Sequence, residues 1–472
     1  MKTLDYFFSC ALILFFICGI AAARGEQTAA NGFDLTPLPY VLDQNGLPFS
    51  ARANAKALWG ISKRGSGYHA EIPANWNGDL LVFLPGGGEI CNPQNGAGCQ
   101  LKVEDPPIRD HLLEKGIAWL SLSYSDKRMV PKVKMLDVLD VLDSFHAQYP
   151  QRKGHVFLFG LSAGGATTQV GVELFPQRFD GAVAGCGGDM SVGFGNFYNI
   201  SLAAMAVVAP SRPPVADFLK RMQVPVDLPT YMSQIAPQII GGLGPKFPQD
   251  NNSAGNALRA IVRNLSGGER PLFDTGFDKM VVPAISAFMG IQMVVDAGPR
   301  SFIDNSNVQY RFESQPDQPL TQMERAFNST IPRFVCDPAV CNSVALKPDQ
   351  TDHLGGFYRL TGHLQRPLIT LHAIGEMISW LSTGQQYADL VEQSGASKFL
   401  VQRAIRDVNH CGFTVDEQSQ AFDDLVQWVK QNRRPAGDDI RNTKVVAAPN
   451  FGCAFTRGAH ADDTQYAQVC RQ

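Results

Sequence analysis

The sequence has no long run of basic or acidic residues and almost no net charge. Its 41 Lys and Arg residues nearly balance 44 Asp and Glu residues, which leaves a formal charge of −3 over 472 residues. Nucleic acids and anionic membrane surfaces are bound through clustered positive charge. We therefore expect no nucleic-acid partner for this chain.

Long hydrophobic runs are confined to the N-terminus. Lys2 is followed by a largely apolar stretch over residues 7–20 and then by Ala21-Ala22-Ala23. This order is typical of a secretory signal peptide with a small-residue cleavage site, and the stretch is too short for a membrane span. The sequence predicts a signal peptide over residues 1–23, no stable membrane anchor, and a secreted protein, either extracellular or periplasmic.

Recognised metal and cofactor motifs are also missing. Asp349, Asp352 and His353 cluster in the sequence but lack the spacing of a known ligand set. The segment Gly193-Phe194-Gly195 lacks the third glycine of a dinucleotide-binding loop. We expect neither a metal ion nor a cofactor.

Cysteine, in contrast, is present in an even number. Of ten cysteines, Cys10 and Cys18 lie in the predicted signal peptide and eight remain in the mature chain. An even number in an oxidising compartment predicts disulfide bonds, although spacing does not fix their connectivity. The expected short-range pairs, and the two cysteines that they leave over as a long-range pair, are Cys91/Cys99, Cys336/Cys341, Cys453/Cys470 and Cys186/Cys411.

The segment that organises the chain is Gly160-Leu161-Ser162-Ala163-Gly164, a G-x-S-x-G pattern. A short apolar run over residues 155–159 predicts a buried strand before it, and residues 166–175 predict a helix after it. Strand, sharp turn and helix are the context in which this pattern presents a nucleophilic serine. Ser162 is the candidate nucleophile, and the backbone N–H of Ala163 is a candidate donor to an oxyanion.

A second glycine-rich turn, Pro85-Gly86-Gly87-Gly88, follows a predicted strand over residues 80–84. Without side chains, its backbone N–H groups can face a ligand directly. The turn resembles the HGGG-type loop that supplies half of an oxyanion hole, with Pro85 at the histidine position. We expect Gly87 and Gly88 to contribute backbone donors.

Strands and helices alternate up to residue 190 and again from residue 366. This alternation predicts an α/β fold with a mostly parallel sheet and helices on both faces. Between the two parts, the pattern stops for far longer than a normal crossover. The predicted organisation is a core over 24–190 and 366–434, an inserted cap over 191–365, and a disulfide-pinned tail over 435–472. Phe194, Phe197 and Tyr198 in the cap are candidates either for a substrate pocket or for the cap core.

A serine nucleophile needs a base and a carboxylate that orients it. His410 follows the last predicted strand, at residues 399–405, and precedes the closing helix, so it is the candidate base. Glu376 follows the preceding strand and is the expected acid. Asp189 and Asp407, also near strand ends, are its rivals.

These motifs together resemble the α/β-hydrolase superfamily, in which the chain order is serine, acid, histidine. The segments Thr370-Leu371-His372, Gly375-Glu376 and His410-Cys411-Gly412-Phe413-Thr414 resemble secreted serine carboxylesterases, which usually have aspartate at the acid position. The His-Cys pair is distantly similar to tannases and feruloyl esterases, in which that cysteine bonds to one just before the nucleophile. Here Leu161 occupies that position.

The resemblance implies a secreted hydrolase that cleaves small-molecule or polymeric carboxylic esters through an acyl-enzyme. A peptidase or polyester depolymerase with the same triad, or an inactive binding protein on this fold, are the alternatives. One fold carries many functions, so the residues of the site and not the fold identify the substrate.

Overall fold

A computed structural model describes residues 40–87, 99–125, 131–222, 226–287, 303–336 and 358–470. The strands are β1 (Val41–Leu42), β2 (Ala55–Ile61), β3 (Gly67–Pro73), β4 (Leu80–Leu84), β5 (Gln100–Leu101), β6 (Ala118–Leu122), β7 (Val156–Leu161), β8 (Gly181–Gly185), β9 (Leu368–Ala373) and β10 (Leu400–Ile405). The longer helices are α1 (Arg109–Glu114), α2 (Pro131–Gln148), α3 (Ala163–Leu174), α4 (Met190–Val208), α5 (Pro213–Arg221), α6 (Ala236–Leu243), α7 (Ser253–Leu265), α8 (Phe273–Ala287), α9 (Gln322–Thr330), α10 (Leu381–Gln393) and α11 (Val415–Gln431). Shorter helical turns lie at Gln44–Gly46, Ala209–Ser211, Leu228–Thr230, Tyr231–Ile235, Ser397–Phe399, Thr443–Val446 and Tyr466–Val469.

The central feature is an eight-stranded sheet in the order β10-β9-β8-β7-β4-β6-β3-β2. β3 runs antiparallel to both neighbours, and the pairs from β6 to β10 are parallel. β1 and β5 form a separate two-stranded parallel pair. This topology is that of the α/β-hydrolase fold, as the sequence predicted.

The central strands are short apolar runs because both faces of the sheet are covered. In β4, Leu80, Val82 and Leu84 pack with α2 and α3 on one face. Leu81 and Phe83 pack on the other face, where α1 and α11 lie. All five side chains are at most 3% exposed.

The segment between β8 and β9 folds as helices with their own hydrophobic cluster. α4 packs against α5, α6, α7 and α8 at the centre of this cluster. Phe194, Phe197 and Tyr198 of α4 are buried there, at 4%, 3% and 0% exposure, so they are core residues of this segment.

One described stretch, Val192–Ser211, is long and apolar enough to cross a membrane. Because 78% of its most apolar window is buried inside the protein, its composition is that of a core helix.

Two helices begin earlier than the sequence predicted. The sequence predicts a helix over Gly384–Gln393, and α10 begins three residues earlier, at Leu381. Gly384 is inside the helix because the ring of His372 in β9 packs against it, and a Cβ there would lie 2.4 Å from His372 Cε1. α3 begins at Ala163, before the predicted start at residue 166, and Gly164 and Gly165 lie in its first turn for a similar reason of close approach. Glycine at these positions reflects tertiary packing and does not mark a helix end.

The C-terminal tail is loop-rich and closed by the Cys453–Cys470 disulfide, as expected from the sequence. It packs against the end of β10 through Arg406, whose guanidinium donates to Asp463 and to the carbonyl oxygens of Pro449 and Phe451. Arg406 and Asp463 are each 1% exposed, so the pair is fully desolvated and its charges depend on each other.

A second buried ion cluster joins the tail to the core at His460. Its Nδ1 contacts Asp407 Oδ2, and its Nε2 lies 2.9 Å from Glu417 Oε1 in the first turn of α11. The hydrogen bonds to these two carboxylates, that to Asp407 first, raise the pKa of His460 from 6.5 to about 10. The ring is therefore an imidazolium cation near neutral pH.

The raised pKa predicts a loss of stability in alkali. Because the folded-state pKa exceeds the ordinary value, protonation of His460 stabilises the fold fully below about pH 6.5, and this stabilisation disappears as the pH rises through about 10. We expect the free energy of unfolding, measured with urea, to fall over this range. His460→Gln should show a shallower fall, and parallel curves for both proteins would contradict the assignment.

Candidate active site

Ser162 lies at the turn between β7 and α3, and its backbone is left-handed, with φ 56° and ψ −123°. The turn is possible because its glycines allow backbones to touch. A Cβ on Gly160 would lie 2.2 Å from the carbonyl oxygen of Gly164, and one on Gly164 would lie 1.9 Å from that of Leu84. Ala163 is the first helical residue, where backbone N–H groups have no partner within the helix and the helix dipole is positive.

The predicted glycine-rich turn lies against this serine. A Cβ built on Gly86 would be 3.0 Å from Ser162 Cβ and 3.7 Å from its Oγ. The hydroxyl of Tyr124 donates to the carbonyl oxygen of Pro85 at 3.1 Å and fixes the start of the turn. Gly87 has a φ of 90°, which favours glycine. Gly88 lies outside the described residues.

Ser162, His410 and Glu376 form one chain of hydrogen bonds. His410 Nε2 lies 2.7 Å from Ser162 Oγ, and His410 Nδ1 lies 2.9 Å from Glu376 Oε2. A carboxylate can only accept a hydrogen bond, so His410 Nδ1 carries a proton and donates it in the bond to Glu376. Nε2 is then free to accept the proton of the serine hydroxyl.

Glu376 is buried beneath the histidine, with a side chain 1% exposed against 25% for His410. Burial raises the pKa of the Glu376 carboxyl, and the adjacent His410 opposes that rise. The backbone N–H of Cys411 also donates to Oε2 at 3.2 Å. This carboxylate therefore orients both the ring of His410 and the backbone that follows it.

The two rival carboxylates point elsewhere. Asp189 accepts from the backbone N–H of Leu360 at 3.0 Å. Asp407 accepts from the backbone N–H of Asn409 at 2.5 Å, a turn role, and pairs with His460. The structure thus brings Glu376 to the ring of His410 and gives Asp189 and Asp407 other partners.

Helix α8 and the loop before it pack on the turn that carries Glu376, a contact that spacing did not reveal. A Cβ on Gly276 would lie 1.7 Å from the carbonyl oxygen of Gly375, so only glycine fits there. Arg270 is 4% exposed and donates from Nε to the carbonyl oxygen of Ile374 at 2.5 Å. Burial lowers the pKa of Arg270 to about 9.

The long-range disulfide expected from the sequence, Cys186–Cys411, is present beside the serine. Cys186 follows β8, and its Sγ lies 3.2 Å from the backbone nitrogen of Ser162. Cys411 is the residue after His410. The bond therefore connects the histidine loop to the end of the strand next to the nucleophile. Cys411 thus has Cys186 as its partner, since Leu161 and not a cysteine precedes Ser162.

The remaining cysteine predictions are only partly visible. Cys99 and Cys336 are disulfide-bonded, and Cys91 and Cys341, their expected partners, lie outside the described residues. Asp349, Asp352 and His353 also lie outside them.

Within the described ranges, one group of potential metal ligands stands close together: Cys186, His410 and Cys411. Both of its sulfurs are in the disulfide, so they offer no thiolates, and the ring nitrogens of His410 already bond Ser162 and Glu376.

The chain thus has an α/β-hydrolase fold, with a serine, a histidine and a glutamate in one hydrogen-bond chain at the edge of its sheet. Comparison of the sequence with protein-family models and with curated proteins finds no match. Solved structures with a similar fold include an esterase from Aspergillus oryzae, at 12% identity and a TM-score of 0.45, covering 81% of this chain and 80% of that one. Feruloyl esterase B from Aspergillus oryzae has 13% identity and a TM-score of 0.44, covering 83% and 86%. Candida antarctica lipase A has 12% identity and a TM-score of 0.36, covering 88% and 85%.

The Cys186–Cys411 bond predicts a variant with lower stability. Cys186→Ala with Cys411→Ala opens a loop with a sequence separation of 225, against 17 for Cys453–Cys470. In the chain-entropy model the long loop contributes roughly 5 kcal/mol and the short one roughly 3 kcal/mol. Urea unfolding should rank the two double variants in this order. The reverse order would show that native-state contacts, and not loop length, set these contributions.

Proposed function

We propose that the protein hydrolyses carboxylic esters through an acyl-enzyme on Ser162, with His410 as general base and Glu376 as the residue that orients it. The observation that carries the proposal is the hydrogen-bond chain from Glu376 Oε2 through His410 to Ser162 Oγ, at 2.9 and 2.7 Å. Each distance is within the range that proton transfer requires.

In the proposed reaction, Ser162 Oγ bonds to the ester carbonyl carbon as its proton passes to His410 Nε2. The imidazolium that forms faces the Glu376 carboxylate, so a charge appears next to a buried opposite charge. Collapse of the tetrahedral intermediate releases the alcohol, which takes the proton from Nε2. Water then attacks the acyl carbonyl carbon as His410 Nε2 takes its proton, and that proton returns to Ser162 Oγ as the acid product leaves.

We assign stabilisation of the tetrahedral oxyanion to backbone N–H groups of Ala163, Gly87 and Gly88. The position of Ala163 at the start of α3 and the approach of Gly86 to Ser162 support this assignment. Such donors act at full strength because they are fixed before charge develops.

We also propose that residues 191–365 form a cap that selects the substrate. The contacts of α8 with the Glu376 turn support this role, since they join this segment to the site. The predicted signal peptide and the Cys186–Cys411 and Cys453–Cys470 disulfides support secretion.

Ser162→Ala tests the nucleophile. It should reduce hydrolysis of p-nitrophenyl acetate roughly 10⁴-fold or more, because only the oxyanion donors remain. It should leave the melting temperature nearly unchanged. A fluorophosphonate probe should label the wild-type protein on Ser162 and leave Ser162→Ala unlabelled. An unlabelled wild-type protein would favour a binding protein on a hydrolase fold, and a parallel panel of feruloyl esters, polyesters and peptides identifies the acyl class.

Glu376→Gln tests the orienting carboxylate. The amide is similar in shape but favours the wrong histidine tautomer, so we expect a loss in kcat on the order of 10⁴-fold. Asp189→Asn is the matched control, because Asp189 bonds a backbone amide and should lose less than a few-fold. Full activity in Glu376→Gln with loss in Asp189→Asn would give the acid role to Asp189.

A further inference from the structure

The loop that carries His410 is bonded to the C-terminal tail at three of its residues. Arg406 pairs with Asp463, Asp407 with His460, and Asn409 donates from Nδ2 to Asp462 Oδ2 at 3.2 Å. The tail partners in these three pairs lie within residues 460–463, and Arg406 also bonds Pro449 and Phe451 earlier in the tail, so the tail contacts the loop just before the proposed base.

His460 joins both ends of this loop. Asp407 precedes His410 by three residues, and Glu417 lies in the first turn of α11, which follows the loop. Glu417 also accepts the backbone N–H of Thr414 at 2.7 Å and forms the capping box of α11. One imidazolium therefore holds the entry of the loop to its exit, with His410 between them.

The burial of this cluster makes the connection rigid. His460 is 6% exposed, Asp407 5% and Glu417 0%. A buried carboxylate pair without its cation is strongly unfavourable, so the three side chains must stay together. Charge-assisted hydrogen bonds at both ring nitrogens also fix the orientation of the imidazolium.

The helical segment contacts the same loop from another direction. Lys279 of α8 donates from Nζ to Asn409 Oδ1 at 2.7 Å and to Asp462 Oδ2 at 2.9 Å. Lys279, Asn409 and Asp462 thus join α8, the loop and the tail next to His410.

We propose that the C-terminal tail fixes the position of the loop that carries His410, and that His460 and Lys279 are positioning residues for His410. The inference rests on the proposed function, because it concerns the proton transfer from Ser162. A base displaced by about 1 Å can lose on the order of 10²-fold in rate. Since neither residue touches Ser162 or Glu376 in the contacts above, each acts through the loop.

The test compares two substitutions at His460 with a control in the same tail. His460→Gln retains one possible donor, and His460→Leu retains none. Both should reduce kcat for p-nitrophenyl acetate and the rate of fluorophosphonate labelling, by roughly 10- to 100-fold, with KM within about twofold, and Leu should lose more than Gln. Tyr466→Phe removes a hydroxyl that bonds Gly458 and Thr456 inside the tail, so it should lower the melting temperature without changing kcat.

Lys279→Met provides an independent measurement if the His460 variants fold poorly. It removes the bonds to Asn409 and Asp462 and leaves the buried cluster intact, so labelling should slow while the unfolding free energy changes little. In proton NMR, the bond to Glu376 should give His410 Nδ1–H a low-field resonance. This resonance should broaden in the His460 and Lys279 variants.

Two outcomes would overturn the inference in different ways. Labelling of the His460 and Lys279 variants at the wild-type rate would refute the positioning role of the tail and leave the proposed function standing. No labelling of the wild-type protein would refute the proposed function, and with it any base for the tail to position.

Discussion

The site depends on parallel strand pairing at the centre of the sheet. β7 pairs with β4 on one side and β8 on the other, so Leu84 lies opposite Gly160 and Leu161 opposite Gly185. β9 and β10 continue the same direction, with Ala373 opposite Ile405. The carboxyl ends of these strands therefore lie at one edge, where crevices of α/β sheets form. The glycine turn, Ser162, Cys186, Glu376 and His410 all follow directly from that edge.

Backbone contact at Gly160 and Gly164 is the local condition for this arrangement. Any larger residue would push α3 away from β4 and β7, and Ser162 would move with the helix. The turn requires a left-handed backbone at Ser162, which is held between β7 and α3 and by the hydrogen bond from its N–H to the carbonyl oxygen of Gly185 at 3.0 Å. Strain at this residue is thus supported by the sheet register and not by the loop itself.

The mostly parallel sheet and the edge that carries the site could be predicted from the sequence, because short apolar runs and turn residues mark the strands and their order along the chain. Glu376 could be expected near His410, since consecutive parallel strands deliver their loops to one edge. The Cys186–Cys411 pair emerged only by elimination of short-range pairs. The tail contacts could not be predicted: Asp407 reads as a turn residue, which it is, and nothing in its spacing points to His460. Contacts between α8 and the Glu376 turn were missed for the same reason, because Gly276 is an ordinary helical glycine until its neighbour is known.

The charged groups around His410 form two kinds of pair, which differ in how deeply both partners are buried. Asp407, Glu417, Arg406 and Asp463 are all buried, and each has an opposite charge within hydrogen-bond distance. Fixed partners offset the cost of desolvating these four charges, so the ion pairs hold the residues before and after His410 in place. Glu376 is equally buried, but its partner His410 is a quarter exposed and gains charge only when it takes a proton. Burial raises the pKa of the Glu376 carboxyl because its negative charge is poorly solvated. The attraction between this charge and His410 therefore grows as the imidazolium forms. In the proposed reaction, the charge interaction between Glu376 and His410 is thus strongest once the imidazolium forms, which is where differential stabilisation accelerates a reaction.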